Sequence, residues 1–446
     1  MKQFALNLYL NFKIFALLVL STAGFLASCN QLPERVERLS GQELSIDLDS
    51  METRVEIIDE GIVHVFVSRK GSVRRKESLT RIIKSPEESK FRVIQKGNEI
   101  LVQTSRIEMK TSLETGATVF TDRNGKILLK EPRAPGIMNT TVTGDTGFQV
   151  RHWLEFSEDE ALFGFGQHQN GIMNYRGKSV ELYQQNMEVA IPVMISSKGY
   201  GIFWDHYCYS RFEDEHHGCF WSELVDGLNY YFIYGPESDG VVAGIRKLTG
   251  TAPMFPKWAY GFIQSRARYE TQEEILGIVR EYRKREVPLD VIVQDWQYWP
   301  DGWGAKEFDS LRYPDPKEML DELHTDLHAH LLISVWPCFE KGSCDFEEMN
   351  KAGFLYPSNS RCYYDPFNPA ARELYWKQAK RGLFDYGVDA WWADATEPEI
   401  NGWDTGPDDY RKRMKPFLGS GARYMNAYSL MHTKGLYEGQ RSVTKE

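Results

Sequence analysis

Cysteine is scarce: six in 446 residues (Cys29, Cys208, Cys219, Cys338, Cys344 and Cys362), with no CxxC spacing. That excludes a dense disulfide framework and leaves at most single bridges, such as Cys208–Cys219 or Cys338–Cys344. Positive charge is not in excess either. The formal net charge is −10, which argues against nucleic acid as a partner. Low-complexity tracts are absent, and the one long apolar run is too short for a lasting transmembrane span. No GxGxxG opens the second half of the chain, so the cradle of a dinucleotide is missing and no cofactor is expected.

That apolar run, Ile14 to Phe25, follows Lys2 and Lys13 and leads into Leu26-Ala27-Ser28-Cys29. Small residues just before a cysteine resemble the bacterial lipobox, so residues 1–28 are expected to be a lipoprotein signal peptide. Cys29 is then the lipid attachment site and 29–42 a linker. The expected location is the cell envelope, anchored to membrane through the lipid, at the outer membrane or facing the periplasm. Asn30, in place of an Asp, favours the outer membrane.

Residues 43–252 alternate apolar and polar positions in short runs, such as Gly61 to Ser68, Phe91 to Ile94 and Ile100 to Thr104. Thr118 to Thr121 and Ile127 to Lys130 flank Asp122-Arg-Asn-Gly125, a hairpin signal. Many short strands of this kind make an all-β sandwich. The only strong helical period in this half falls near Val241 to Leu248.

From Pro253 onward strands and helices alternate. Strands are expected at Trp258 to Gln264, Leu289 to Gln294, His330 to Val335 and Val388 to Ala393. Helices are expected at Thr271 to Glu286, Pro316 to Leu327, Pro369 to Phe384 and about Gly421 to Tyr437. Four such alternations are the rhythm of a parallel α/β fold. Arg266, Asp295-Trp296, Trp336 and Asp394 gather just past the strand C-termini, where a (β/α)₈ barrel carries its site. The expected fold is therefore a β-sandwich followed, over 253–446, by about four of the eight strands of a TIM barrel.

Asp295 and Asp394 each end an apolar strand. A carboxylate there is either a loop cap or ion pair, or a functional group whose burial has partners. Retaining hydrolysis of a glycoside needs a carboxylate nucleophile and a second carboxyl group about 5 Å away serving as acid and then base. Asp394 suits the nucleophile, with Glu397 close behind it to orient it. Asp295 suits an acceptor for sugar hydroxyls.

At this point the sequence resembles glycoside hydrolase family 31, the α-glucosidase and α-xylosidase family. Trp391-Trp-Ala-Asp-Ala-Thr-Glu-Pro398 is similar to its nucleophile motif on barrel strand four. Val293-Gln-Asp-Trp-Gln-Tyr-Trp299 is similar to the strand-two segment with a subsite acid, and Ser334-Val-Trp-Pro337 to strand three. Phe255 to Phe262, Tyr231 to Pro236 and Leu248-Thr-Gly250 match the barrel opening and the sandwich end. The resemblance runs from about residue 45 to the C-terminus. It implies that Asp394 attacks the anomeric carbon, that Asp295 binds sugar hydroxyls, and that Trp336 and Trp392 are apolar walls. The strand-two wording looks closer to xyloglucan-directed members, and Trp296 can fill the space a glucose hydroxymethyl needs. An exo-acting α-xylosidase on oligosaccharides is thus expected ahead of an α-glucosidase.

The family's acid/base Asp lies on strand six, past Glu446, so this stretch is expected to be a truncated frame with impaired turnover or a sugar-binding remnant. Asp404, Asp408 and Asp409 follow Asp394 but read as solvated loop acids. His324 and His328 share a helical face, yet His330 begins a strand expected to point elsewhere, and no metal is expected.

Overall fold

Period-two alternation in the first half produces three sheets around one core. The computed structural model describes residues 32–72, 76–84, 86, 88–215, 217–358, 361–399 and 409–444. Residues 1–28, Cys29, Asp404, Asp408 and the side chain of Asp409 lie outside the described set. Among the described residues no helix is long and apolar enough to cross a membrane.

An eight-stranded antiparallel sheet runs from Val36–Arg38 at one edge, through Ile62–Arg69, Leu228–Tyr234 and Tyr200–Trp204, to Leu162–Gln167 at the other. Two five-stranded sheets pack on its inner face. One contains Asp145–Leu154 and Gly218–Val225; the other is the meander from Arg92–Lys96 to Ile127–Lys130. Phe120 of the meander stacks on Phe232 at 4.0 Å, and His152 of the other sheet stacks on Tyr230 at 4.7 Å. Buried Glu131 joins them, accepting from the Tyr230 hydroxyl at 2.8 Å and lying 2.8 Å from His152 Nε2. The opposite face of the large sheet packs the helix Ser238–Thr249 through Val241 and Leu248.

The expected hairpin turn is present: Asp122 Oδ1 accepts from the amides of Asn124 and Lys126, and Gly125 takes φ 83°. Neither of the two bridges left open by the sequence forms. Cys208, Cys219, Cys338, Cys344 and Cys362 are all free thiols, and the strand register sets Cys219 opposite Glu213 rather than Cys208.

Among the described residues the second half holds four parallel strands in sequential order: β1 (Ile263–Gln264), β2 (Val291–Gln294), β3 (His330–Val335) and β4 (Ala390–Ala393). Helix α1 (Gln272–Lys284) follows β1, α2 (Pro316–Thr325) follows β2, and α3 (Pro369–Gly382) precedes β4. Each helix begins on a capping side chain: Thr271 accepts from the Glu274 amide, Asp315 from Glu318, and Asn368 from Ala370. Such a cap contributes about 1 kcal/mol. β1 is shorter than expected, because Lys257–Tyr260 forms a 3₁₀ turn between Pro256 and Gly261. A Cβ at Gly261 would lie 2.0 Å from the Asp290 carboxylate, which accepts from the Phe262 amide.

The last helical stretch breaks where the sequence promised one helix. Gly421–Tyr424 and a 3₁₀ turn, Met425–Ala427, precede α4 (Tyr428–Val443). The break releases Asn426 to donate to the carbonyls of Leu182 and Cys208, both at 2.9 Å. Arg423 reaches Asp145 and Asp226, each at 2.7 Å. These contacts seat the barrel segment on the sandwich.

Lys306 is buried behind the β2 loop. Its ammonium donates to the Gly304 carbonyl at 2.9 Å and sits over the rings of Phe339 (3.9 Å) and Tyr375 (4.3 Å). Burial pushes its pKa down to about 8, against the pull of Asp345. Its folded pKa is depressed, so between about pH 8 and the unfolded value near 10.5 the unfolded chain binds the extra proton, and stability rises with pH. Lys306→Met is expected to flatten that rise. At pH 7 it is expected to add up to ~3 kcal/mol, less the cation–π contribution it removes. Denaturant melts at several pH values check this.

Candidate active site

Asp295 and Asp394 stand at the C-terminal ends of β2 and β4, with β3 between them. Asp295 Oδ1 accepts from the Trp296 amide at 2.8 Å and from the Ser334 hydroxyl at 3.3 Å. Asp394 Oδ1 accepts from the Ala395 amide at 2.9 Å, and the Trp336 side chain also hydrogen-bonds this carboxyl. The Asp394 amide is itself held by the Val335 carbonyl at 3.0 Å, which ties the residue to β3.

Both acids are half-buried, and burial raises both pKa values. The amide and indole donors oppose that rise at Asp394, and the Asp394 charge adds to it at Asp295. Each acid is followed closely by a left-handed residue that is not glycine, Ala395 (φ 52°) and Gln297 (φ 58°). Such backbone costs about 1–2 kcal/mol per residue and persists where surrounding contacts enforce it.

Glu397 lies beside them without the contact expected of it. The Ala395 amide, not Glu397, holds Asp394 Oδ1, and among the described residues Glu397 Oε2 is buried with no hydrogen-bond partner. Burial raises the pKa of Glu397 and the Asp394 charge raises it further, while Arg411 lowers it. Arg411 is buried, donates to the Gln184 carbonyl at 2.7 Å, and lies over the Tyr183 ring at 4.3 Å. A sandwich loop thus helps to hold the cation that faces Glu397.

Trp336 is buried at the centre of an aromatic group. Trp299 and Trp303 meet it edge-on at 5.3 and 5.8 Å, and Trp303 packs on Trp296 at 5.2 Å. Arg268 caps Trp296 at 5.4 Å and Arg361 caps Trp303 at 4.6 Å. Trp392 points away from burial, 40% exposed on β4, a sheet edge among the described residues. Tyr298 and Tyr375 pin the floor, donating to the carbonyls of Ser334 (3.0 Å) and Trp336 (2.8 Å).

Sequence reasoning brought Asp295, Trp296, Trp336, Asp394 and Glu397 to one end of the sheet, and the structure places them there. It missed Trp303, Arg361 and Arg411, whose only signal was an aromatic-rich loop and isolated charges. Arg266, grouped with the site from its position, turns to Glu274 on α1 at 2.6 Å. The histidine expectation needs correction. His330 does not point elsewhere: its Nδ1 lies 2.9 Å from Asp389 Oδ1, and His324 Nε2 lies 2.9 Å from Asp389 Oδ2.

A β-sandwich joined to parallel barrel strands, with carboxylates and tryptophans gathered at the strands' C-terminal ends, is the arrangement of a carbohydrate site on a barrel of the β/α class. The comparisons agree. Residues 252–446 match the glycosyl hydrolases family 31 TIM-barrel domain. Residues 52–213 match the glycosyl hydrolase 31 N-terminal galactose mutarotase-like domain. The chain belongs to glycoside hydrolase family 31.

An α-xylosidase of Saccharolobus solfataricus is 40% identical over 342 residues, 72% of this chain and 46% of that protein. The family 31 α-xylosidase of Xanthomonas citri superposes with a TM-score of 0.85 at 27% identity, over 92% of this chain and 63% of that one. A soil-metagenome α-xylosidase of the family, solved with xylose, gives 0.83 at 25% identity, over 91% and 63%. The chain spans about half the length of the curated relatives it matches.

Proposed function

We propose that this chain carries the nucleophile side of a retaining, exo-acting α-xylosidase site for xyloglucan-type oligosaccharides. Asp394 is the nucleophile, and its placement at the end of β4 between the Ala395 amide and the Trp336 indole is the observation that carries the reading. Those donors favour the ionised carboxylate that attack requires, against the cost of burial. Asp295 accepts sugar hydroxyls; both of its hydrogen bonds among the described residues end on Oδ1, which leaves Oδ2 for substrate. Trp296 and Trp336 form the apolar wall, with Trp392 at its rim. Glu397 is the neighbouring acid that orients the site, its own pKa raised by burial and by the Asp394 charge. Lipid attachment at Cys29 places the protein at the cell envelope.

The preference for xylose over glucose rests on Trp296, wedged between Trp303 and Arg268 where a hydroxymethyl group would need room. α-Glycosyl fluorides test it, because fluoride leaves without protonation and isolates the nucleophilic step. α-Xylosyl fluoride is expected to release fluoride faster than α-glucosyl fluoride. Faster release from the glucosyl compound assigns the site to an α-glucosidase instead. Saturable xylose binding with no fluoride release, unaffected by Asp394→Ala, supports a non-catalytic sugar-binding protein.

A further inference from the structure

At the end of the parallel sheet opposite the sugar-facing acids, three side chains from three elements converge. His324 comes from the last turn of α2, His330 opens β3, and Asp389 immediately precedes β4. One ligand atom from each lies within 4.8 Å of the other two. We propose that His324, His330 and Asp389 form a binding site for a divalent transition ion of the zinc class. It is independent of the glycosidase reading.

Four observations support the assignment. The donor set, two imidazole nitrogens and one carboxylate oxygen, is the mixture that suits Zn²⁺ and its neighbours rather than calcium or magnesium. The ligands sit on a helix end and two adjacent strand starts, where the backbone is fixed: the Leu331 amide donates to Asp389 Oδ2 at 2.8 Å, and the Asp389 amide to the Leu331 carbonyl at 3.1 Å. The Trp258 ring stacks on His330 at 4.2 Å and 22°, which sets the plane of that imidazole. The C-terminal end of α2 carries partial negative charge, which favours a cation beside His324.

All three residues are partly exposed, so an ion can enter and water can complete the shell. Binding asks for modest closure. Zn–N and Zn–O bonds of about 2.0–2.2 Å require the three atoms to draw together and the Asp389 carboxylate to turn one oxygen inward. The imidazole nitrogens that now face Asp389 are the ones that would turn to the ion. His328 lies one turn beyond His324 with its Nδ1 3.4 Å from the His324 carbonyl, outside the cluster, and serves as a control. A bound ion would clamp α2, β3 and β4 together at the floor of the sheet.

The test is titration of the chelator-treated full chain with Zn²⁺ by calorimetry, and with Co²⁺ as an optical probe. One ion is expected to bind, to raise the melting temperature, and to give cobalt ligand-field bands without a sulfur charge-transfer band. H324A and H330A are each expected to weaken binding by more than the about 10–100-fold that loss of an outer-sphere partner costs. H328A and C344S are expected to bind as the parent does. Asp389→Asn, nearly isosteric, provides a variant that keeps the fold if an alanine substitution does not. Melting curves in chelator confirm folding of each. Binding unchanged in H324A, H330A and D389N, a sulfur band lost in C344S, or no binding of either ion at millimolar concentration overturns the proposal and leaves only imidazole–carboxylate hydrogen bonds.

Discussion

Asp394→Asn is expected to lower fluoride release from α-xylosyl fluoride by on the order of 10⁴–10⁶-fold, the scale seen when a covalent nucleophile is removed. The reason is specific to this carboxylate. Attack on the anomeric carbon needs a negatively charged oxygen, and an amide keeps the shape without the charge. Trp336 and the Ala395 amide would still hold the side chain in place, so the fold is expected to survive. Asp295→Asn is expected to act differently, raising the substrate concentration needed for half-maximal rate, because its place beside Ser334 suits hydroxyl binding rather than attack. Parallel rates for the two variants distinguish the roles. An Asp394→Asn protein that releases fluoride within tenfold of the parent removes Asp394 from the reaction.

The second large effect is on acid stability. His206 in the sandwich is half-buried and His432 on α4 is buried; desolvation pushes each pKa down to about 3, and the Lys306 charge adds to it at His432. The hydrogen bonds agree with a neutral ring. His206 Nε2 accepts from the Asn229 amide at 3.2 Å and so carries no proton there. His432 Nδ1 lies 2.9 Å from the Tyr364 hydroxyl, its Nε2 is buried with no hydrogen-bond partner among the described residues, and the Lys306 charge opposes a second proton. Both folded values are depressed below the unfolded value near 6.5. Below that pH the unfolded chain therefore binds protons the folded chain refuses, and stability falls as pH falls through the window down to about 3. By pH ~4.5 the two sites together cost roughly 5 kcal/mol, a large share of the 5–15 kcal/mol of a typical domain.

Other groups shift this window without reversing it. Glu56 adds to the loss: although burial opposes it, Arg81 and His64 hold its carboxyl well below the usual range. Asp295, Asp394 and Glu397, with raised values, return a little stability as they take up protons. Unfolding midpoints from pH 7 to 4.5 are expected to drop steeply in the parent, and about half as steeply in His206→Gln or His432→Gln. Equal slopes in all three proteins would show that acid unfolding is driven elsewhere.

Much of this molecule could be read before its structure. The residues around Asp394 are contiguous, so the strand, its end and the acid at that end were visible together. β3 was placed at His330–Val335 by its mostly apolar run, and the structure has those bounds. Asp295 was visible for the same reason. Features assembled from distant segments were not legible. Trp303 and Arg361 meet 58 residues apart, and Arg411 reaches Gln184 across 227 residues. Periodicity reports which face of an element is apolar, but not which faces meet.

The errors share that cause. His330 was expected to point elsewhere because it begins a strand, yet the first residue of a parallel strand lies beside the residue preceding the next one. That neighbour is Asp389, 59 residues on. The final helix was drawn as one from about Gly421 to Tyr437, while the turn at Met425–Ala427 goes with Asn426 bonding to the sandwich. The 3₁₀ turn at Lys257–Tyr260 replaced strand because Pro256 and Gly261 bracket a segment too short to pair.

The central claim is that Asp394 forms a covalent bond to the anomeric carbon, and one measurement bears on it directly. The chain is incubated with 5-fluoro-α-xylosyl fluoride: the anomeric fluoride leaves with its bonding pair, and the ring fluorine slows release of the intermediate by disfavouring an oxocarbenium-like transition state. Peptide mass mapping is then expected to find one fluoropentosyl unit, esterified to Asp394 and absent from Asp394→Asn. A sugar adduct on a different carboxylate, or an unlabelled Asp394 peptide while fluoride is released, would contradict the account.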